Sequence, residues 1–392
     1  MVFALIFIFI IEAAFIYTAS AGRVFESRVA KRVLILLSVI HLFAFFILLL
    51  RIALFKGEFA SNAHLNNILN SALLFAVGTL PMMILLVFSN ISWLFRKRYR
   101  SARRIINRSG IILATLIIIL TGSGSINGRF NFKVEKVKIR IKDLPTDLKG
   151  LRIVQLSDLH LSSFYRHEKK LVKVMKLLAD LKPDILVNTG DYVSFGYSEM
   201  EEFSDLLKSP ETSYGSYAVL GNHDMGTYHP GWDAEDRGHN VREISEMIKD
   251  QGFQLLIDEN QALKIGDATI SIIGITTSGS IPNIDYGNFL QAFKGADTTD
   301  IRIFLSHDPN YWLHNPGLMQ NIELTLSGHT HGMQMGIITR WFRFSPASLL
   351  YKDWGGLYTR DDSNLYVNRG LGTIGFPFRI GMPPEITLIT LE

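Results

Sequence analysis

The sequence predicts an N-terminal α-helical transmembrane region followed by a larger α/β domain. The chain has 392 residues, of which 48% are hydrophobic, and its long apolar stretches are confined to the first third. After that, short apolar runs alternate with helical patterns, and this repetition is typical of a layered α/β domain. We place the membrane region at residues 1–126, a linker with the first strand at 127–149, and the α/β domain at 150–392.

The charge of the chain is divided in the same way. Residues 1–131 contain 14 Lys and Arg against 3 Asp and Glu, whereas the remainder contains 26 against 33. An acidic α/β domain lacks the clustered basic face that nucleic acids need, so we expect no nucleic acid partner. Cysteine is absent, which excludes disulfides, thiolate metal sites and Cys nucleophiles but leaves the compartment open.

Four apolar stretches predict four transmembrane helices, at residues 2–21, 33–55, 71–95 and 110–126. The first three are long enough to cross a bilayer core of about 30 Å, whereas the fourth has a shorter strong core. A secretory signal peptide is the alternative for the first stretch. Its charges favour a span, because the basic residues follow the apolar run and do not precede it. Glu12 and His41 fall inside these stretches; we interpret Glu12 as a polar contact between helices, and neither residue is given a function.

The loops between these stretches predict an orientation. The loops at 22–32 and 96–108 are basic, whereas the loop at 56–70 is nearly neutral. Under the positive-inside rule, both basic loops lie in the cytoplasm. Four spans then place the α/β domain on the outer face of the membrane, whereas three spans would leave it inside.

In the α/β domain, five apolar runs each lead into a block of polar side chains. The runs lie at 151–156, 185–188, 217–220, 301–305 and 324–326, with helical patterns at 168–181 and 199–208. Residues 134–141 indicate a half-exposed strand pair or a bulged strand. Domains of this class place their chemistry in loops after the carboxyl ends of strands. The blocks contain Asp158 and His160, then Asp191, then Asn222, His223 and Asp224, then His307, and finally His329 and His331.

Each block alone is weak evidence for a metal site, whereas the five blocks together are strong evidence. Gly190 and Asp191 alone are more often a turn than a ligand site. His329 and His331 are more specific, because they lie between flanking glycines that give the backbone the freedom to bend around a site. Five such blocks in order, each at a predicted strand end, indicate one metal site.

The residue types fit a centre of two metal ions that hydrolyses a phosphate ester. Such a centre holds its ions about 3.5–4 Å apart, and a bridging carboxylate offsets their repulsion. We predict Asp191 as the bridge. Mixed His and carboxylate ligands favour Mn, Fe or Zn over Ca or Mg. The predicted ligands of one ion are Asp158, His160 and His331, and those of the other are Asn222, His307 and His329.

His223 lies beside this centre and is left without a metal. A histidine outside the coordination shell can protonate the leaving oxygen, and Asp224 is expected to orient it. We therefore predict His223 and Asp224 as catalytic residues. The other histidines of the domain are interpreted as surface or loop residues, with a wall of the substrate cleft as the alternative for His229 and His239.

These blocks resemble the calcineurin-like metallophosphoesterase family, from about Leu151 to Gly332. The resemblance implies two packed β-sheets flanked by helices, the same seven metal ligands, and His223 as the acid for the leaving group. The tail, at 356–358, 365–372 and 383–388, is similar to a membrane-associated bacterial branch of the family. That branch usually has a second glycine where this chain has Met333, a change that leaves the ligands in place.

The resemblance also implies the class of reaction. We expect hydrolysis of a phosphate mono- or diester, on a lipid-linked or cell-envelope substrate, by an enzyme of the bacterial inner membrane. An enzyme similar to UDP-2,3-diacylglucosamine pyrophosphohydrolase, facing the cytoplasm, is the alternative. A non-catalytic metal-binding receptor is a third hypothesis, against which the complete ligand set argues. The oligomeric state is left open.

The segment after the last histidine block predicts a membrane contact. Aromatic and basic residues together favour the lipid headgroup region, so the bilayer is an expected partner. The alternative is that the aromatic residues pack in the core below the site. The segment contains Ile337, Ile338, Trp341, Phe342 and Phe344, interleaved with Arg340 and Arg343.

Overall fold

The computed structural model describes residues 14–15, 18, 28–53, 62–95, 99–229, 231–278, 285–339 and 341–392. The contacts of the chain define two units. The described residues of the helical unit lie within 1–55, 67–126 and 375–378, and those of the α/β unit lie within 56–66, 127–374 and 379–392. Most of the apolar stretch at 2–21, including Glu12, lies outside the described residues, as does Arg340.

The described part of the helical unit consists of α1 (Arg28–Ala53), α2 (Asn62–Trp93) and α3 (Arg100–Ile126). By length and composition, two segments are candidate membrane spans, Lys31–Leu50 and Ser101–Phe130, and Val77–Trp93 is a shorter apolar helix. The predicted stretches at 33–55, 71–95 and 110–126 therefore overlap helices, whereas the number of spans stays a prediction.

His41 shows how the helical unit accommodates a polar side chain. It is buried on α1, and its Nε2 shares a hydrogen bond of 2.9 Å with Oγ1 of Thr79 on α2. Burial of an imidazole is tolerated when its polar atoms have partners. The contact is therefore a polar link between two apolar helices.

The strands of the α/β unit are short, as expected from apolar runs of three to six residues. They are β1 (Lys133–Ile139), β2 (Arg152–Leu156), β3 (Ile185–Asn188), β4 (Ser216–Ala218), β5 (Gln254–Leu255), β6 (Glu259–Ile265), β7 (Ala268–Gly274), β8 (Ile301–Leu305), β9 (Leu324–Ser327), β10 (Ile337–Ile338), β11 (Arg343–Phe344), β12 (Gly356–Arg360), β13 (Ser363–Val367) and β14 (Glu385–Leu391).

These strands form two six-stranded mixed sheets and a small hairpin. The first sheet has the order β1-β14-β2-β3-β4-β5, in which only β14 and β2 are antiparallel. The second has the order β12-β13-β9-β8-β7-β6, in which β13, β9, β8 and β7 run parallel. Strands β10 and β11 pair with each other as an antiparallel hairpin. The parallel strands of each sheet bring several carboxyl ends to one edge.

The helices of the α/β unit cover the outer faces of the sheets. In α4, Leu171, Val174 and Leu178 are buried on one stripe, because residues three and four apart share a helix face. Asp233 caps the start of α6 through a capping box with Asp236. The helices are α4 (Glu168–Asp180), α5 (Ser198–Glu201), α6 (Ala234–Asp250), α7 (Phe289–Phe293), α8 (Asn310–His314) and α9 (Pro316–Met319).

Alternation along the strands sends apolar residues to both faces of each sheet. Ile153 of β2 packs with Ile303 of β8 in the core between the sheets, whereas its neighbour Val154 joins the core below α4 and α6. Phe304 of β8 packs under α7, α8 and α9. The result is a four-layer arrangement of helices, two sheets and helices, which confirms the predicted fold class.

Two sequence expectations differ from the observed elements. The helical pattern at 199–208 forms only the four-residue α5 and a 3-10 turn at Ser204–Leu206. Residues 134–141 form most of one continuous strand, β1, which pairs with β14 from a distant part of the chain. Neither expectation for this segment, a strand pair or a bulged strand, is correct, because the register of β1 with β14 is one-to-one.

Candidate metal centre

The predicted ligands all follow the carboxyl ends of strands. Residues after β2, β3 and β4 come from the first sheet, and those after β8 and β9 come from the second. The loops from both sheets meet, so that six side chains far apart in sequence converge in two groups. They are Asp158, His160, Asp191, His307, His329 and His331. The seventh predicted ligand, Asn222, adjoins His223, whose backbone N–H donates to Asp191.

Two groups of side chains within this set could each hold a metal ion. In the first group, the ligand atoms of Asp158, His160 and His331 all lie within 4.8 Å of one another. His331 Nε2 is 3.2 Å from Asp158 Oδ1 and 3.1 Å from His160 Nε2. All three residues are buried, so their lone pairs face one small polar space.

The second group consists of Asp191, His307 and His329, whose ligand atoms also lie within 4.8 Å of one another. His307 Nε2 is 3.1 Å from Asp191 Oδ2 and 3.2 Å from His329 Nδ1. The same Asp191 oxygen is 3.7 Å from His160 Nε2 of the first group. One carboxylate oxygen therefore lies next to both groups.

Asn222 supplies an independent sign that the site accommodates a cation. Its Nδ2 donates to the Tyr228 hydroxyl at 3.1 Å. Its Oδ1 is buried and has no hydrogen-bond partner among the described residues. A buried amide oxygen without a donor is costly in a protein of this size. An oxygen-seeking metal ion would satisfy it, so the donor set fits the predicted centre.

The loops that carry these residues are bent into sparsely populated conformations. Asp158, His160, Asp191, His329 and His331 all have positive φ angles, between 40° and 71°. A non-glycine residue in this region is uncommon, and such residues cluster at functional sites. The bends allow neighbouring residues of one loop, such as His329 and His331, to reach two different groups.

Close crossing of two loops places Asp191. A Cβ atom on Gly221 would lie 2.1 Å from Asp191 Oδ1, so only glycine fits there. Asp191 Oδ1 accepts a hydrogen bond of 2.8 Å from the backbone N–H of His223. Its other oxygen is left to face both groups.

Partners behind the histidines set which nitrogen faces the site. His307 Nδ1 donates to the Thr189 carbonyl at 2.7 Å, because a carbonyl only accepts, so its Nε2 keeps a lone pair for a metal. His329 Nε2 shares a hydrogen bond of 2.9 Å with the Tyr351 hydroxyl, and its Nδ1 faces the second group. Such contacts orient ligands and fix their tautomers.

Burial and mutual attraction set the protonation of the metal-free centre. Burial lowers the pKa of His307, but the carboxylates of Asp191 and Asp158 and the Thr189 carbonyl together outweigh burial and raise that pKa to about 10. Burial opposes charge on Asp191, yet His307 and His223 hold the pKa of this carboxyl well below its ordinary value. Burial acts likewise on Asp158, and His331 keeps the pKa of its carboxyl below the ordinary value. The carboxylates therefore favour a proton on His307, which a metal ion would displace. Burial instead lowers the pKa values of His160 and His329 and keeps them neutral.

His223 lies beside the two groups and belongs to neither. Its ring stacks on Tyr228 with centroids 4.2 Å apart and is 5.0 Å from the ring of His160. Its Nδ1 donates to the Ser194 carbonyl at 2.7 Å. The other ring nitrogen, Nε2, is the one that can exchange a proton with a substrate.

Asp224 has different partners from those expected. Its buried carboxylate accepts from the backbone N–H groups of Asp191, Tyr192 and Gly221 at 2.8 Å. It therefore holds the loop of Asp191, and the Ser194 carbonyl takes the place beside His223 that the sequence suggested for Asp224. Burial, with the nearby Asp191 charge, raises the pKa of Asp224 to about 7.

Two further charged residues support the site without any signal in the sequence blocks. Glu199 is fully buried and accepts from the backbone N–H groups of Ser162, Ser194 and Phe195. It thereby fixes the loops that hold His160 and His223. Arg379, also buried, donates to the backbone carbonyls of Arg369, Gly370 and Gly372. Its Nη2 lies 3.3 Å from His331 Nδ1.

Sequence comparisons place this fold and site among known proteins. The calcineurin-like phosphoesterase family matches residues 151–333. The chain is 30% identical over 257 residues to the uncharacterized metallophosphoesterase YkuE of Bacillus subtilis, with 64% of this chain and 82% of YkuE covered. It is 29% identical over 307 residues to a transmembrane protein with metallophosphoesterase domain of Danio rerio, covering 75% and 66%. It is 30% identical over 305 residues to the UDP-2,3-diacylglucosamine pyrophosphatase LpxG of Chlamydia trachomatis, covering 62% and 84%.

The two-sheet fold, with His and Asp groups at its strand ends, is that of a metallophosphoesterase. The chain belongs to the calcineurin-like phosphoesterase family, and the resemblance found in its sequence is confirmed. Membership makes the protein a hydrolase of phosphoric ester bonds that uses divalent metal. The family match covers all seven predicted ligands.

Proposed function

We propose that this protein hydrolyses a lipid-linked or cell-envelope phosphate mono- or diester at a centre of two metal ions. The observation that carries the proposal is the position of Asp191, whose Oδ2 lies 3.1 Å from His307 Nε2 and 3.7 Å from His160 Nε2. One carboxylate beside two ligand groups suits a bridge. Asp158, His160 and His331 hold one ion in this proposal, and Asn222, His307 and His329 hold the other.

The ions, of Mn, Fe or Zn, supply Lewis acidity and lower the pKa of bound water. The chain contributes the leaving-group proton. The Nδ1–H of His223 donates a hydrogen bond to the Ser194 carbonyl. When Nε2 is also protonated, it can give its proton to the leaving oxygen. Asp224 keeps the Asp191 loop in place through backbone hydrogen bonds and acts as a positioning residue.

The membrane region supports an amphiphilic substrate. The protein carries candidate membrane spans, and one relative is a transmembrane protein with the same catalytic domain. We propose residues 1–126 as a four-span anchor in a bacterial inner membrane, 127–149 as the connection with the first strand, and 150–392 as the catalytic domain on the outer face.

A second candidate is hydrolysis of the pyrophosphate of a UDP-linked acylated sugar, which the similarity to LpxG favours. Nucleotide-linked substrates are cytoplasmic, so this candidate requires the catalytic domain on the inner face. A reporter fused to the C-terminus, tested for the side of the membrane that it occupies, separates the two candidates.

Hydrolysis by the purified full chain tests the proposed reaction. After removal of metal by a chelator, addition of Mn²⁺ should restore hydrolysis of a chromogenic phosphodiester. Asp191→Asn should abolish turnover and lower the metal content, because the bridge loses its charge. Asp205→Asn, at an exposed position, is the matched control and should behave as the parent. Normal hydrolysis by Asp191→Asn would refute the two-metal proposal.

A further inference from the structure

Seven large apolar side chains beside the metal centre are exposed, and we call them the apolar rim. Trp341 is 86% exposed and Phe342 is 56% exposed, so the alternative that the aromatic residues of this segment pack in the core is wrong. Large apolar side chains that cluster at a surface commonly mark an interaction site. The rim consists of Ile337, Ile338, Trp341, Phe342, Phe344, Leu349 and Leu350.

The rim is presented on a fixed turn. Strands β10 and β11 form a hairpin in which Ile337 pairs with Phe344. Thr339 closes its tip, since its Oγ1 accepts from the backbone N–H of Phe342 at 2.9 Å and of Trp341 at 3.3 Å. The exposed aromatic residues Trp341 and Phe342 are therefore held by backbone hydrogen bonds to Thr339, which lowers the entropy lost on docking.

The base of the rim is joined to the metal loops. Ser345, directly after β11, is buried and donates through Oγ to the Gly332 carbonyl at 2.5 Å, next to His331. Tyr351, directly after Leu350, bonds His329 Nε2. Any surface that the rim contacts is consequently close to the metal centre.

Arg343, a basic residue of the hairpin, places a positive charge beside the apolar rim. Arg343 lies over the ring of Trp354, with 5.2 Å between its Cζ and the ring centroid, and its guanidinium donates to the Gly355 carbonyl. Lys352 is exposed. Tryptophan with basic residues is the composition that favours the headgroup layer of a bilayer.

A short connection joins a candidate membrane span to the first strand of the α/β unit. The candidate span Ser101–Phe130 is followed by β1 at Lys133. From the end of α3 at Ile126 to Lys133, the connection can extend to at most about 25 Å. A soluble partner would need to compete with a membrane surface that is always present at high local concentration.

From these observations we propose that the apolar rim inserts into the headgroup region of the bilayer. Tryptophan settles at the depth of the lipid headgroups, which is also the depth of their phosphates. Docking of the rim would therefore bring the metal centre to the phosphate esters of membrane amphiphiles. The substrate part of this inference rests on the proposed function, whereas the docking part does not.

The absence of cysteine allows a single reporter to test docking. Trp341→Cys and Leu290→Cys each receive a nitroxide spin label in the full chain, reconstituted in nanodiscs of phosphatidylethanolamine and phosphatidylglycerol. Leu290, 74% exposed on α7, is the matched apolar control. We expect the label at 341 to collide with lipid-soluble oxygen and to be shielded from a water-soluble nickel complex, and the label at 290 to show the opposite.

Two results would overturn docking. A label at 341 as accessible to the nickel complex as the label at 290 would show that the rim faces water. Dipolar broadening between labels at 341 would show that the rim binds a second copy of the chain. Neither result depends on catalysis, so failure of docking is distinguishable from failure of the proposed function.

A pair of substrates tests the consequence for catalysis. Hexadecyl and methyl p-nitrophenyl phosphate have the same leaving group and differ in the membrane-inserting tail. Replacement of Trp341 and Phe342 together by serine should lower kcat/KM for the hexadecyl ester at least about tenfold in nanodiscs, while the melting temperature and methyl ester hydrolysis stay unchanged. Equal loss on both esters with a lowered melting temperature would mean that the pair stabilises the fold. Hydrolysis of neither ester by the parent would refute the proposed function alone.

Discussion

Replacement of His223 by asparagine should separate proton donation from metal binding. His223 belongs to neither ligand group, and its Nδ1 is committed to the Ser194 carbonyl. The substitution should therefore retain both metals and remove the acid. General acid catalysis typically contributes about 10²–10⁴-fold, which corresponds to about 3–5 kcal/mol of transition-state stabilisation.

The loss should depend on the leaving group. A p-nitrophenolate ion leaves without a proton, so its ester should lose only a few-fold in kcat. An alkyl alcohol needs the proton, so a dialkyl diester should lose the full factor. The assay compares kcat for both esters in the parent and in His223→Asn, with metal content measured by elemental analysis. His314→Asn, at an exposed position, is the matched control.

Two results would contradict this reasoning. Loss of bound metal in His223→Asn would place the residue in the coordination shell. Retention of metal with an equal loss on both esters would show that His223 positions the substrate and does not donate a proton.

Three further perturbations test the surroundings of the centre. Glu199→Ala should lower the free energy of unfolding by at least about 3 kcal/mol, because several buried N–H groups lose their acceptor. Chemical denaturation would measure this loss, and activity assays would detect a parallel loss of kcat. Unchanged stability would refute this role of Glu199. Below pH 10, metal affinity should rise about tenfold per pH unit. The pKa of His307 is raised to about 10, so a metal ion must displace a proton from His307 in order to bind. Competition from that proton weakens as the pH increases. Calorimetry in buffers of different ionisation enthalpy should show proton release, and a pH-independent affinity would be inconsistent with it. Gly221→Ala should displace Asp191 and lower metal content, since its Cβ would clash with Oδ1, whereas Gly317→Ala has open space and should have no effect on metal content.

The convergence of the ligand side chains could be predicted because each of them follows a short apolar run in the local sequence. Asp158 and Asp191 each follow a short apolar run, and parallel strands bring such loops to one edge. Which sheet edge each loop reaches does not matter for that inference. The same logic predicted His307 and His329 as ligands, and the structure places them after β8 and β9 of the second sheet.

The supporting contacts could not be predicted because they join backbone atoms or distant parts of the chain. Glu199 binds the backbone of its own loop and of the loop after His160, and no side-chain pattern marks such contacts. Arg379 reaches His331 from 48 positions along the chain. Asp224 adjoins His223 in sequence, yet its oxygens turn to the Asp191 loop, because several buried N–H groups there need an acceptor.

Exposure was likewise beyond the sequence. The pattern around Trp341 fits both a buried segment and a membrane-facing one, since aromatic residues are common in each. The structure excludes the buried segment, since Trp341 is 86% exposed. Local composition limits the possibilities here, and tertiary structure selects one.

The sharing of Asp191 by two metal ions is tested most directly by electron paramagnetic resonance of the full chain loaded with Mn²⁺. Ions held about 3.5–4 Å apart and linked through one carboxylate should give the spectrum of an exchange-coupled pair, with two Mn²⁺ per chain by elemental analysis. In Asp191→Asn the coupled spectrum should vanish. A parent protein that binds one Mn²⁺ per chain and shows only the six-line signal of an isolated ion would contradict the two-metal centre.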